Sequence, residues 1–387
     1  MIDFIQVREG LREIDIAVHN LWMLGKNMIV GWIADDEGIE VCFAPVYRVL
    51  SEAADNPRLL DGGRQMNAST FTAVCKTLQA RPLRLTLPFR IRSETSPGDV
   101  DAEAVDTVIR RYSIVRTAHR AMILFNIVGF SDATPLEQLA QFTSLESSIS
   151  SAGEKLGEVG LDVELARSTA GDGYIYVWNR FSGLEADLRT YAALLLTLVD
   201  NALSAQDVGS ASQLVPRLRI GFTVGSHYSY HQVEGTRPRS FEYATGQVTI
   251  TLARILEKSL PGQILLGNFQ RPIDGSAKVL DTVLFLARAE KMLARLTGAE
   301  IGGHPVKEIR SIISGGQIGN RAQSVLKYSI ADKHGNRYEA FNLHARVERD
   351  SEARLDFGLR PDKLAGFNAT PAVYEIPVAV TESAAVP

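Results

Sequence analysis

Apolar residues recur along the chain with two different periods, and each change of period marks a new element. Over residues 2–24, Ile5, Leu11, Ile14, Val18, Leu21 and Trp22 fall largely on one side of a helix. Residues 30–43 read as two short strands about the turn Asp35-Asp36-Glu37-Gly38. Short helices are predicted over 47–53 and 70–78, with a loop punctuated by Pro and Gly over 57–67. Residues 83–91 alternate as a half-buried strand, and Pro88 places that strand at an edge. The stretch SETSPGDVD, 93–101, has the composition of a linker. Residues 102–119 read as a helix with Val105, Val108, Ile109, Tyr112 and Val115 as its stripe. Such a stripe belongs to a core-facing helix, with a dimer-forming connector as the alternative.

The pattern then becomes strand 122–127, helix 136–156, strand 163–168, strand 174–178, helix 184–202 and strand 217–224. That is the β-α-β-β-α-β order of a ferredoxin-like unit. A polar loop over 234–240, helix 247–258, strand 263–266 and helix 279–296 follow, then a hairpin of 328–330 with 338–342. From Ala369 the chain is rich in Ala, Val, Pro and Thr, the composition of a poorly ordered tail. The expected organisation is an α+β regulatory or sensor-like domain (1–92), a linker and connector helix (93–119), an α/β (α+β) ferredoxin-like domain (120–348) and a tail (349–387).

Charge and composition narrow the partners. The formal net charge of the 387 residues is −4, which gives no basic footprint for nucleic acid. The two cysteines, Cys42 and Cys75, fit no metal spacing and read as free thiols in a reducing compartment. The opening MIDFIQVREG lacks a basic segment and a signal-type apolar core. The densest apolar run, 192–196 with Leu198 and Val199, is far short of the roughly 20 residues of a membrane span. A cytoplasmic location with no membrane span is the expectation.

Candidate chemistry centres on two strand ends. The apolar run Met122-Ile123-Leu124-Phe125 ends at Asn126 and is followed by Gly129 and a helix start at Asp132, Thr134 and Pro135. The turn Gly171-Asp172-Gly173 leads into the second strand end. One oxygen-bearing side chain beside glycine-rich backbone at each end suits divalent metal and phosphate. Other clusters read more plainly. His227-Tyr228-Ser229-Tyr230-His231 suits aromatic strand packing better than a zinc site. Arg217, Arg237 and Arg239 suit a solvated loop, with triphosphate attraction as the alternative, and Asp332-Lys333-His334-Gly335 suits a turn.

LFNIVGFS resembles the first metal motif of class III nucleotidyl cyclases, and STAGDG resembles their second. LRIGFTVG resembles their central strand, and GQVTITLARILEKSLPGQILLG the helix and strand carrying ribose and phosphate contacts. The blocks stand in the family's order over about residues 120–269. The resemblance implies a ferredoxin-like catalytic domain that forms a 3′,5′-cyclic nucleotide from a nucleoside triphosphate. Two Mg2+ or Mn2+ ions would be held by two aspartates, in sites shared between two domains. The metal positions fall on Asp172 and Asn126, and the transition-state arginine falls on Arg254. The base-reading positions fall on Ser168 and Tyr243, so a base other than adenine is implied. The backbone of Ile127, Val128, Gly129 and Phe130 would hold phosphate, while the ribose-orienting asparagine is replaced by Ile250. Two readings result. One is a divergent cyclase, acting as a homodimer or as a heterodimer with another cyclase domain. The other is a pseudocyclase that binds nucleotide or a partner. An engineered replacement of aspartate at Asn126 is a further possibility.

Overall fold

The computed structural model describes residues 4–35, 37–92, 100–207, 209–234, 239–317, 324–350 and 354–376. By contacts the chain divides into two units, Met1–Thr117 with His227–Thr245, and Ala118–Ser226 with Gly246–Pro387.

The first unit is built from α1 (Phe4–Trp22), β1 (Asn27–Asp35), β2 (Gly38–Pro45), α2 (Val46–Ala53), β3 (Arg64–Gln65), α3 (Ala68–Thr77), β4 (Leu83–Thr86), the short pair β5 (Ile91–Arg92) and β6 (Val100–Asp101), and α4 (Ala102–Ile109). Its sheet has the order β3-β1-β2-β4. One face buries Ile14, Val18, Trp32, Val105, Ile109 and Tyr112, and the other Met28, Val30, Cys42, Phe71 and Leu78. The helix expected over 102–119 is corrected. It ends at Ile109, and β7 (Ile114–Ile127) has begun by Ile114. The β-branched Ile114 and Val115 favour the extended chain. The stripe of Val105, Val108, Ile109 and Tyr112 is spent in this unit's own core. That is the packing of a core-facing helix.

After β7 come α5 (Pro135–Glu158), β8 (Leu165–Thr169), β9 (Tyr174–Asn179), α6 (Leu184–Asp207), β10 (Leu218–Glu234), β11 (Arg239–Thr245), α7 (Gln247–Glu257), β12 (Ile264–Gly267), β13 (Gln270–Pro272), β14 (Val279–Asp281), α8 (Thr282–Leu293), β15 (Glu300–Ile301), β16 (His304–Ile313), β17 (Gly316–Gln317), β18 (Ser324–Ala331), β19 (Arg337–Arg349), β20 (Arg354–Phe357) and β21 (Thr370–Glu375). The main sheet runs β15-β16-β19-β12-β10-β7-β9-β8. The element order β7-α5-β8-β9-α6-β10 matches the expected α+β, ferredoxin-like arrangement. One core of this unit is made by the sheet with α5, α6 and α8, around Phe125, Tyr191, Phe222, Phe285 and Phe341.

Two further expectations change. The strand expected to stop at 224 runs on to Glu234 and pairs with β11, so Arg239 and Ser240 are strand rather than loop. The rest of that loop, 235–238, lies outside the described residues, as do linker residues 93–99. The tail is not structureless throughout: Thr370–Glu375 forms β21, antiparallel to β18. Its Tyr374 hydroxyl donates to the Asp281 carboxylate at 2.6 Å. Residues 377–387 lie outside the described residues.

Candidate functional site

Strand alternation decides which side chains can meet. Ile123, Phe125 and Ile127 of β7, Ile175 and Val177 of β9, and Leu218, Ile220 and Phe222 of β10 enter the core with α5, α6 and α8. Leu165 of β8 packs against the same core, and Arg167 reaches back to Glu146 and Ser150 of α5. The alternate residues therefore share the opposite face. They are Asn126 on β7, Tyr174 and Tyr176 on β9, Ser168 on β8 and Arg219 on β10. Helix α7 lies against this face. A Cβ at Gly221 would come within 3.0 Å of Leu252, so glycine sets the closeness of that approach.

The two expected strand ends do converge. Asn126 pairs with Tyr174 across β7 and β9. The Ile127 amide donates to the Gly173 carbonyl at 3.0 Å. Gly173 has φ +75, and a Cβ there would stand 2.8 Å from Cβ of Phe130. Asp172, exposed at the tip of the turn, holds φ 47, a left-handed conformation that Asp tolerates better than most residues. Asn126 is 5 % exposed, and its amide makes no hydrogen bond among the described residues. The residue is largely buried, yet its amide atoms are not among the buried side-chain atoms left without a partner, so the amide is open to solvent at the strand end.

Arg219 was not singled out from the sequence. The Val128 amide donates to the Arg217 carbonyl at 2.8 Å, which puts the start of β10 beside the end of β7. β7 lies between β10 and β9 and is antiparallel to β9, and in a ferredoxin-like unit the α6 crossover makes β9 and β10 parallel. In that sense, two residues along each strand from this bond, Arg219 comes to the level of Asn126 on the same face. Arg219 is half-buried, with no ion pair or hydrogen bond among the described residues, and its Nε is buried without a partner. An unpaired guanidinium and an unpaired amide thus stand side by side. The alternation in LRIGF held the signal for the face but not for the neighbour.

The expected phosphate loop is only partly open. The Ile127 and Val128 amides are already bonded to Gly173 and Arg217, which removes these two from the anion-binding set. Gly129 and Phe130 have no backbone acceptor for their amides among the described residues. The following helix start has its own anion. Glu137 accepts from the Thr134 amide at 2.8 Å and from the Thr134 hydroxyl at 2.7 Å. Those bonds from Thr134, side chain first, hold the Glu137 carboxyl below its ordinary range.

The remaining candidates lie apart. Arg254, on α7, is 3.4 Å from Glu257 and 3.8 Å from Asp332. Asp332 itself closes its turn by accepting from the His334 and Asn336 amides at 2.8 and 2.9 Å. Ile250 is exposed on α7 and offers no hydrogen bond. Ser168 pairs with Tyr176, whose hydroxyl donates to the Thr249 carbonyl at 3.3 Å and so ties β9 to the first turn of α7. Tyr243 belongs to the first unit, stacked on Tyr230 at 5.5 Å and 20°. His227 is fully buried, sharing a hydrogen bond with Ser229.

The donors at the strand ends do not fit a pair of divalent ions. Asp172 supplies one exposed carboxylate and Asn126 a neutral amide, with Asp132, also exposed, the other carboxylate near the loop and the Arg219 cation alongside. No group of three or more His, Cys, Asp or Glu side chains with metal-binding geometry occurs among the described residues. Magnesium sites rely on carboxylates together with substrate phosphates, and a two-ion site needs more anionic charge than this.

The fold is an α+β domain of ferredoxin-like order, with Asn126 and Arg219 on one face of its sheet and Asp172 at the turn before β9. No family model matches the chain, and no curated protein matches it. Among solved structures it is similar to the guanylyl cyclase Cya2, at 13% identity and TM-score 0.36, over 59% of this chain and 92% of that one. It is also similar to the adenylyl cyclase CyaB from P. aeruginosa, at 11% identity and TM-score 0.35, over 60% and 95%. A third is the guanylate cyclase domain of RhGC from Catenaria anguillulae in complex with GTP, at 11% identity and TM-score 0.34, over 59% and 97%. At such scores the strand order and the side chains of this chain carry the reading. No helix among the described residues is long and apolar enough to cross a membrane.

Proposed function

We propose that the second unit is a cyclase-like module that binds a nucleoside triphosphate, with turnover impaired. The observation that supports it is Arg219, half-buried and with its Nε buried without a partner, on the same face as the Asn126 amide, which is free of hydrogen bonds among the described residues. A guanidinium takes phosphate oxygens in bidentate fashion, and the Asn126 amide and the Gly129 and Phe130 amides add donors on one side. Ser168, Tyr174 and Tyr176 extend the same face away from the phosphates and offer the base a hydroxyl and two aromatic walls. The module pairs with a second cyclase-like domain, its own copy or another. In support, Arg254 is engaged by Glu257 and Asp332 rather than by the groups at the strand ends.

The second reading is a divergent cyclase that makes a 3′,5′-cyclic nucleotide with Mg2+ or Mn2+. It is favoured by the presence of Arg254 and Asp172 at the positions where the family resemblance puts the transition-state arginine and a metal aspartate. One experiment separates the two. Purified protein is incubated with manganese and each of the four nucleoside triphosphates, while pyrophosphate, cyclic product and bound nucleotide are followed. Saturable binding without product supports the module. Product that disappears in Arg254→Ala and Asp172→Ala establishes the cyclase.

A further inference from the structure

We infer that this site takes up its triphosphate without a divalent cation, with Arg219 supplying the positive charge; the inference rests on the nucleotide-binding reading above. Residue 126 decides the matter. A carboxylate there, at the level of Arg219 on the neighbouring strand, would pair with the guanidinium and repel phosphate. The amide of Asn126 does neither. It leaves Arg219 without a partner among the described residues and adds an N–H donor that a carboxylate lacks. The groups gathered here carry no negative charge: a guanidinium, an amide whose NH2 donates and whose Oδ1 is neutral, and the backbone N–H groups of Gly129 and Phe130. Asp172 is the carboxylate of the turn, and it is exposed at the tip. Asp132 is a second carboxylate near the loop, with Oδ2 4.0 Å from where a Cβ on Gly129 would lie, and it too is exposed. A cation bridging these two carboxylates is the competing arrangement. It would leave the Asn126 amide and the Arg219 guanidinium to meet the phosphates in the same way. The competing arrangement makes binding depend on the ion, and the direct one does not.

The test uses the full chain and two probes, inorganic tripolyphosphate and a fluorescent nucleoside triphosphate, each titrated in EDTA and in manganese. The expected result is the same Kd in both conditions, within about twofold. Arg219→Gln should weaken binding in EDTA by at least about tenfold, the scale of one lost charge-assisted contact. Arg219→Lys, which keeps the charge and the fold, should recover part of that loss. Asn126→Asp should weaken binding in EDTA and regain it in manganese, because the new carboxylate neutralises Arg219 and creates a cation ligand. Binding by the unaltered chain only in manganese overturns the inference and leaves the nucleotide-binding reading standing. Failure of both probes in both conditions overturns the two together.

Discussion

The amide of Ile127 donates to the carbonyl of Gly173 at 3.0 Å, and this bond brings two segments some 46 residues apart in the chain to one place. It sets the Asp172 turn against the loop that follows Asn126. Gly173 permits the approach, because its φ is +75 and any side chain there would meet Phe130. Gly173→Ala should destabilise the second unit by about 2 kcal/mol, through left-handed strain and that clash. Urea unfolding should report the loss, with tripolyphosphate binding weakened in parallel. An unchanged unfolding midpoint would mean that the turn yields easily.

A buried ion cluster braces the middle of β7, at Ala121. Nε of Arg271 lies 2.6 Å from the Asp187 carboxylate, and both side chains are almost wholly buried. The same carboxylate accepts from the Ala121 amide at 2.5 Å, while Asp274 bonds Arg271 and caps α6 through the Leu184 amide at 2.7 Å. Arg271→Met should cost about 3–5 kcal/mol, since it strands a carboxylate in the core. The double change with Asp187→Leu should cost less than the sum of the single changes. Strict additivity in that cycle would show that the two groups act independently.

Glu290, on α8, gives a pH dependence of definite sign. Burial pushes its carboxyl up to about 7, against the pull of the Ser311 amide that it accepts at 2.9 Å. Between the ordinary glutamate value and about 7 the folded protein holds a proton that the unfolded chain releases. Stability from this group therefore falls as pH rises through that window, by about 3 kcal/mol in all, and is level above it. Denaturant midpoints from pH 4.5 to 8 should show the slope, and Glu290→Gln should flatten it. A slope of opposite sign removed by the same substitution would contradict the assignment.

Much of this was legible in the chain. The apolar run ending at Asn126 and the alternation in YIYVW gave both strands, and the Gly-Asp-Gly turn marked the second strand end. What was not legible depended on distant pairing. Arg219 becomes a neighbour of Asn126 only because β10 lies beside β7, with some 90 residues between them. Thr370–Glu375 has a composition that reads as tail and becomes a strand because β18 offers it an edge. Residues 114–119 continued a helical stripe on paper, yet they extend β7, where sheet pairing outweighs local spacing. Ile127 and Val128 offered amides in sequence that the fold had already bonded to Gly173 and Arg217.

Hydrogen exchange with and without a nucleoside triphosphate tests the central claim most directly, because it locates the bound phosphates on the chain. The account predicts slowed exchange at the Gly129 and Phe130 amides and around the Gly171–Tyr174 turn, lost in Arg219→Gln. Nucleotide binding that protects other segments and leaves these amides unchanged would contradict it.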